Sequence, residues 1–253
     1  MEGGRMLKTL GIVETCYGSP SARAKASRRL GGKSVLEWVV RRATDCLQLS
    51  GVIVATSDAP ENQFVARLVP LDVPVFVAKK PDPLACLAAA LEEYPTDAAV
   101  RIGTDYPFID PMLIDRLVIT AEAHPECDYV AYCSRDGRPA VHAPVGVYAE
   151  WFRVEALRRA ARRATVTLDR QQPTRYLYSH PEKFCLRLIP VPEQIDRDDV
   201  RLCVDIEEDF DHAVAIFEAL GPELDYQRIA NLLHHQPAIR SRMAAINRAA
   251  AKG

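Results

Sequence analysis

The sequence predicts an α/β fold built on a mostly parallel β-sheet, with helices on both faces and a small antiparallel insertion. Over the first 125 residues short apolar runs alternate with helical segments, a spacing that favours parallel strands joined by helices. After residue 125 two apolar runs are separated by a turn instead of a helix. The 253 residues are 48% hydrophobic and 26% charged, as in globular proteins. We expect one domain over 1–253, with the insertion at about 134–190 and a helical tail at 225–253.

Each element is predicted from its own local pattern. Ser34 with Glu37 three residues later forms a capping box, S-V-L-E, which predicts the start of the first helix. Short β-branched apolar runs predict strands at 9–14, 51–56, 73–77, 98–102, 128–133, 145–151, 184–191 and 200–204. Helical patterns predict further helices at 58–69, 83–94, 111–123, 153–163 and 207–220, followed by a tail that breaks at Pro237.

Charge and cysteine content exclude several classes of function. The formal net charge of −2 gives no global field for nucleic acid. The seven cysteines are scattered, form no CxxC pair and match no zinc spacing. They predict reduced thiols in a cytoplasmic protein. No apolar run approaches the length of a membrane span.

Two aspartates each follow an apolar run directly, in VRIGTD and in VRLCVD. Because the carboxyl ends of parallel strands meet at one sheet edge, where ligands bind in such folds, we expect Asp105 and Asp205 to lie together. Such a pair suits Mg²⁺, which takes oxygen ligands from carboxylates, phosphates and water and serves nucleotidyl transfer. Alternatively, each aspartate caps the next helix or turn. Asp209, one helical turn later, either supports the metal or interacts with the helix dipole.

The loop after the first strand, CYGSPSARAKASRRLGGK at 16–33, has the composition of a phosphate-binding loop. Gly18 and Ser19 can offer backbone N–H groups to an anion. Lys25 can reach a triphosphate as a point charge, and Lys33 lies just before a helix N-terminus. Alternatively, the loop is a solvated basic segment, as most charge runs are.

Two polar segments follow the second and fourth predicted strands at the same sheet edge. Thr56, Ser57 and Asp58 are placed to contact a base or ribose, or else they cap the following helix. Gly103 and Thr104 complete the segment after the fourth strand.

Several blocks in order carry a resemblance to a known family: the Gly-Ser loop with a later lysine, LGGKSVLEW, VIVATSD, VRIGTDYPFIDPMLID and VDIEEDFDHA. The chain resembles, over almost its full length, the cytidylyltransferases of the spore-coat polysaccharide SpsF type, which are related to CMP-sialic acid and CMP-Kdo synthetases. The resemblance implies a Rossmann-like nucleotidyltransferase fold. It implies that CTP and a sugar or sugar acid give a CMP-sugar and pyrophosphate with Mg²⁺, for surface polysaccharide synthesis. It also implies a homodimer formed through about 134–180.

The resemblance also implies roles for individual residues. Asp105 and Asp205 match the metal carboxylates, and Lys25 matches the loop lysine. The implied nucleotide-binding positions are Gly18, Ser19, Arg23, Lys25, Thr56, Ser57, Asp58, Gly103 and Thr104. The implied substrate-binding positions are Glu150, Gln171 and Gln172.

Three arginine positions of the family carry uncharged residues here: Cys16, Ser21 and Cys86. Replacement cations are available nearby, namely Arg23, Arg28 and Arg29. Two alternatives to an active cytidylyltransferase therefore stay open. One is a catalytically impaired relative that binds a nucleotide or a partner enzyme, and the other is a glycosyltransferase that uses a sugar nucleotide.

Overall fold

The protein is represented by a computed structural model, which describes residues 7–15, 25–79, 82–135, 137, 139–140 and 143–251. Its described residues form one seven-stranded sheet and a separate antiparallel pair. The pair is β2 (Arg29–Leu30) with β3 (Lys33–Ser34). The large sheet consists of β1 (Thr9–Glu14), β4 (Val52–Ser57), β5 (Val75–Ala78), β6 (Ala98–Gly103), β7 (Tyr129–Cys133), β8 (Glu150–Arg153) and β9 (Leu186–Pro190).

The strand order of the large sheet is β5-β4-β1-β6-β8-β7-β9. Neighbouring strands are parallel from β5 across to β6, and β7 is parallel to β9. Of the described strands in this sheet, only β8 runs antiparallel to its neighbours, β6 and β7. The predicted mostly parallel α/β sheet is therefore confirmed. The antiparallel pairing predicted within 134–190 is β8, which lies inside the main sheet and begins at Glu150 instead of residue 145.

Helices cover both faces of the sheet. Ser34 accepts the N–H of Glu37 at 3.0 Å and so caps the first helix, as its sequence predicts. The last helix begins at Pro237, the predicted break in the tail. None of the described helices is both long and apolar enough to cross a membrane. The helices are α1 (Val35–Thr44), α2 (Pro83–Glu93), α3 (Pro111–Ala123), α4 (Val154–Arg163), α5 (Thr167–Gln171), α6 (Arg175–Tyr178), α7 (Glu207–Leu220), α8 (Tyr226–His234) and α9 (Pro237–Ala250).

Two hydrophobic cores lie on opposite faces of the sheet. Because side chains alternate along a strand, Ile12 packs with α2 and α4 on one face, and Val13 packs with α1 and α3 on the other. Burial on both faces explains why the central strands are continuous apolar runs, not alternating ones. The polar residues that follow these strands are thereby held at one edge of the sheet.

The helix predicted at 58–69 is replaced by two 3₁₀ turns, Pro60–Asn62 and Val65–Arg67. A proline disfavours the helical conformation of the residue before it. In addition, the Asn62 side-chain amide donates to Ser57 Oγ at 2.7 Å, a local bond that competes with helix formation.

The strand predicted at 200–204 is also wrong, because this segment bends at Cys203 and forms no ladder with the described strands of the sheet. The N–H groups of Leu202 and Cys203 donate to Pro144 C=O at 2.9 and 3.2 Å. All five residues of this segment are buried, and Val200, Leu202 and Val204 belong to the hydrophobic core. The apolar run therefore reports burial of the whole segment, whose backbone partners lie in loops.

Candidate active site at the carboxyl edge of the sheet

Asp105 lies in the turn that follows β6, at the carboxyl edge of the parallel strands. Burial raises the pKa of its carboxyl to about 6, and the nearby Asp205 carboxylate contributes in the same direction. Lys25 and Arg101 act in the opposite direction but do not cancel the shift. The structure thus brings Asp105, Asp205 and Lys25 close enough to interact electrostatically.

Asp205 reaches this edge from the 200–204 segment and not from a strand end. The N–H of Val204 donates to the C=O of Asp105 at 2.8 Å, which joins the two aspartate segments directly. The Asp205 Oδ2 accepts from Arg201 Nη2 at 3.1 Å and from Cys203 Sγ at 3.2 Å. The side chain is still 47% exposed, so its carboxylate is accessible to a ligand.

Asp209 is committed to structural bonds. Its carboxylate forms a bidentate pair with Arg201, at 2.7 Å to Nε and 2.9 Å to Nη2. It also accepts the N–H groups of Asp205 and Ile206 at 2.9 and 3.1 Å, which caps α7. A side-chain oxygen of Asp209 and the Cys203 thiol lie within 4.8 Å of the Asp205 carboxylate. Because burial raises the pKa of the Cys203 thiol, that group stays protonated and does not suit Mg²⁺.

The basic loop is described only from Lys25 onward. Its predicted nucleotide-binding residues Gly18, Ser19 and Arg23 lie outside the described residues, as do Cys16 and Ser21. Residues 25–27 are helical. Lys25 is the first residue of this loop that the structure describes, and its charge interacts with Asp105.

Two of the three arginines expected as replacement phosphate ligands are held elsewhere. The Arg28 guanidinium pairs with the Glu207 carboxylate at 2.5 Å from each terminal nitrogen and lies 3.7 Å from the centre of the Phe210 ring. Arg29 Nη1 donates to Gly32 C=O at 2.7 Å, within the β2–β3 turn. In this structure both arginines hold the polypeptide around the loop.

We expect the Arg28 stacking contact to matter more for stability than its ion pair. Glu207 is 72% exposed at its side chain, so Glu207→Gln should lower the free energy of unfolding by less than about 1 kcal/mol. Arg28→Ala also removes the contact with Phe210 and should cost about 1–2 kcal/mol. Urea unfolding of both variants measures the difference. A larger loss for Glu207→Gln than for Arg28→Ala would contradict this ranking.

The segment after β4 is bonded within the protein. Thr56 Oγ1 donates to Thr15 C=O at 3.5 Å, and Ser57 Oγ accepts from Asn62. Both side chains are buried, whereas Asp58 is exposed. Cys86, at a position where the resembling family has arginine, is buried and its thiol donates to Thr56 C=O at 3.4 Å. At the end of β4 the side chain that contacts the Thr56 carbonyl is therefore an uncharged cysteine.

Beside Asp105, Gly103 and Thr104 close the end of β6. Thr104 is buried, and a Cβ at Gly103 would lie 2.9 Å from the Tyr106 ring, so the glycine allows that ring to pack. The position of both residues at the sheet edge is the one that the sequence predicts.

Of the predicted substrate ligands, Glu150 has a completely buried side chain. Its oxygens accept from Tyr129 at 2.5 Å, from Thr174 at 2.8 and 2.9 Å, and from Arg101 at 3.0 Å. This carboxylate joins β8 to β6, β7 and the start of α6 through these hydrogen bonds. Gln171 is the last residue of α5 and is exposed. Gln172 is the C-cap of this helix and is half-buried.

Arg101 is a site residue that the sequence reasoning missed. It lies on β6, and its guanidinium joins Glu150 to Glu14 at the end of β1, with a distance of 2.5 Å to Glu14 Oε2. Burial opposes its charge, but the two carboxylates outweigh burial and raise its pKa. The available signal was an arginine inside the otherwise apolar run AAVRIG, since a charge in a buried strand needs partners.

The sequence also matches known proteins. Residues 17–181, well over half of the chain, match the family described as the MobA-like NTP transferase domain. The spore coat polysaccharide biosynthesis protein SpsF of Bacillus subtilis is 24% identical over 234 residues, which are 89% of this chain and 94% of that protein.

Solved structures share the fold. The structure of a cytidylyltransferase from Leptospira borgpetersenii superposes with a TM-score of 0.79 at 19% identity, covering 92% of this chain and 96% of that chain. CMP:2-keto-3-deoxy-manno-octonic acid synthetase complexed with CTP superposes with a TM-score of 0.62 at 15% identity, covering 84% of this chain and 99% of that chain. These matches confirm the predicted resemblance to SpsF-like cytidylyltransferases. The chain belongs to the family of MobA-like NTP transferase domains.

Proposed function

We propose that this chain is a Mg²⁺-dependent cytidylyltransferase that forms a CMP-activated sugar or sugar acid from CTP for surface polysaccharide synthesis. The observation that carries the proposal is the meeting of Asp105 and Asp205 beside Lys25 at the carboxyl edge of β6. Family membership supports nucleotidyl transfer. Cytidine and polysaccharide chemistry are supported by the SpsF relative and by the structural neighbour that was solved with CTP.

The residues at this edge fit a magnesium ion. Burial raises the pKa of Asp105 most, and the Asp205 carboxylate adds to this shift, while Lys25 and Arg101 act against it. Asp105 and Asp205 would hold the ion through carboxylate oxygens, with phosphate oxygens and water completing its ligands. When bound, Mg²⁺ supplies charge neutralisation on the triphosphate and orients the α-phosphate.

The reaction needs little covalent chemistry from the protein. The oxygen of a sugar hydroxyl bonds to the α-phosphorus, the bond from that phosphorus to the bridging oxygen breaks, and pyrophosphate leaves with the electron pair. The hydroxyl proton is released to solvent. Positioning and electrostatic stabilisation therefore dominate catalysis of such transfers. In this chain Lys25 would bind the triphosphate.

Pyrophosphate release tests the proposal. The protein is incubated with Mg²⁺, a sugar or sugar acid from a panel, and CTP, with ATP, GTP and UTP as parallel arms. We expect release with CTP that depends on both Mg²⁺ and the acceptor. If no pyrophosphate is released with any of the four nucleotides at high enzyme concentration, the proposed nucleotidyltransferase activity is excluded.

Binding without turnover is the second candidate function. It is favoured by the positions of Arg28 and Arg29, which are held by Glu207 and Gly32, and by the uncharged Cys86. Thermal unfolding with CTP and Mg²⁺ detects binding by mass action. Stabilisation of the protein by CTP with no turnover on any acceptor would support this candidate.

The homodimer implied by the resemblance stays a prediction. Two exposed apolar side chains, Val166 and Leu168, lie within the segment through which it would form.

A further inference from the structure

The last helix, α9, is bonded to the segment that carries Asp205 through the side chain of Asn247. Asn247 Nδ2 donates to Asp198 C=O at 2.9 Å and to Val200 C=O at 3.1 Å. Its Oδ1 accepts from Arg201 Nη1 at 3.4 Å. Both ends of the amide are therefore used, and only a side chain with a donor and an acceptor can make all three bonds.

Arg201 extends this connection to the aspartate. It is buried, and its Nη2 donates to both Asp205 and Asp209, at 3.1 and 2.9 Å. Asp209 in turn accepts the N–H of Asp205 at 2.9 Å. A continuous set of bonds thus runs from Asn247 through Arg201 to the carboxylate and the backbone of Asp205.

The segment depends on these bonds because none of the described strands pairs with it. Within the described residues, the backbone bonds of Leu202, Cys203 and Val204 go to the carbonyls of Pro144 and Asp105. Without a ladder, the position of the backbone before Asp205 depends on the burial of 200–204 and on side-chain hydrogen bonds from α9, including one from Arg240 to Asp199. Asn247 supplies two of them from a helix that lies far along the chain.

We propose that Asn247 is a positioning residue for Asp205, acting through Arg201 and the backbone of residues 198–200. Its effect on turnover rests on the proposed function, but its effect on the segment does not. It touches neither nucleotide nor sugar in this proposal. Its role is to hold the carboxylate where it can meet Asp105.

The first measurement follows the segment directly through the buried thiol of Cys203. Purified Asn247→Ala and Asn247→Asp are treated with a thiol reagent, and labelling of Cys203 is followed by mass spectrometry of its peptide. Asn247→Asp keeps an acceptor for Arg201 but turns an oxygen toward two carbonyls, so it should behave like Asn247→Ala. We expect labelling about tenfold faster or more in both variants, because local opening exposes the thiol.

Two controls separate positioning from general loosening. Cys46 is buried just after the C-terminal end of α1 and should keep its labelling rate in every variant. Met243→Leu changes a buried side chain of the same helix without touching the Asn247 bonds, and it should leave Cys203 protected. Wild-type labelling of Cys203 in Asn247→Ala, or equal acceleration in Met243→Leu, would overturn the proposal.

The second measurement is the Mg²⁺ dependence of turnover. In Asn247→Ala we expect the Mg²⁺ concentration for half-maximal rate to rise about tenfold and kcat to fall, while KM for CTP at saturating Mg²⁺ changes less than about twofold. An unchanged Mg²⁺ requirement together with faster Cys203 labelling would restrict Asn247 to a structural role and overturn its link to the site. A wild-type protein without turnover would remove the proposed function, and the labelling result would still decide whether Asn247 holds the segment.

Discussion

Gly146→Ala is expected to lower the free energy of unfolding by about 3 kcal/mol and to lower turnover by about a hundredfold. Gly146 has φ of +65°, and a Cβ at this position would lie 2.6 Å from the backbone nitrogen of Cys203. It would also lie 2.9 Å from Cys203 Cα and from the Leu202 carbonyl carbon. These are backbone atoms, so the segment that carries Asp205 must move.

The predicted loss has two parts. Alanine in a left-handed conformation costs about 1 kcal/mol. Displacement of the segment also weakens the bonds from Leu202 and Cys203 to Pro144 C=O, each worth about 1 kcal/mol. A shift of about 1 Å at a catalytic group is enough for a hundredfold loss of rate. Urea unfolding and pyrophosphate release measure the two effects.

Gly32→Ala is the matched control. Gly32 has φ of +87°, and among the described residues no heavy atom lies within 4 Å of the position that a Cβ would take. Alanine there meets only the backbone penalty. It should cost about 1 kcal/mol and leave turnover unchanged. Equal effects of the two substitutions on stability and on turnover would contradict the contact between Gly146 and the Asp205 segment.

Asp105→Asn should stabilise the metal-free protein and abolish its response to Mg²⁺ with CTP. The pKa of Asp105 is raised from 3.8 to about 6, so its ionised form is less favourable in the folded than in the unfolded state. The substitution removes this penalty at pH 7. Since the side chain is only partly buried, we expect a gain of about 1–2 kcal/mol, or several degrees in Tm.

The sign of the effect gives a pH dependence. In the wild type the penalty appears as the pH rises through the range from 3.8 to about 6 and is constant above it. The Tm difference between Asp105→Asn and the wild type should therefore be largest at pH 7 and vanish below pH 4. A difference that grows as the pH falls would contradict the raised pKa.

The same variant should lose catalysis. Without one metal carboxylate, turnover is expected to fall by about 10²–10³-fold or more, the equivalent of several kcal/mol of transition-state stabilisation. Thermal unfolding with CTP should respond to Mg²⁺ in the wild type and not in Asp105→Asn. Asp72→Asn, which removes an exposed partner of Arg41, is the control and should keep the full response. An Mg²⁺ response in Asp105→Asn equal to that of the wild type would exclude Asp105 as a metal ligand.

Local sequence patterns were sufficient to predict the helices, whose backbone hydrogen bonds are local, and the strands that pair with other strands. The strand at Thr9–Glu14 and the helix at Pro111–Ala123 have the predicted bounds. In both, the apolar pattern agrees with the burial in the folded chain, and Asp110 caps the helix. The patterns failed at 200–204, where a buried and mostly apolar run imitates a strand but the backbone partners lie in loops.

The α/β class, the family resemblance and the positions of Asp105 and Asp205 after apolar runs can be predicted from the sequence, because they depend on periodicity and on short motifs. Which polar side chains are bonded within the protein becomes visible only in the folded chain. Glu150 was expected at the substrate and is buried against Arg101, and Arg28 is held by Glu207. Asn247 becomes important only because the fold brings the last helix onto the segment before Asp205. Such pairings join residues far apart in sequence, and no local pattern records which distant partner a polar side chain will meet.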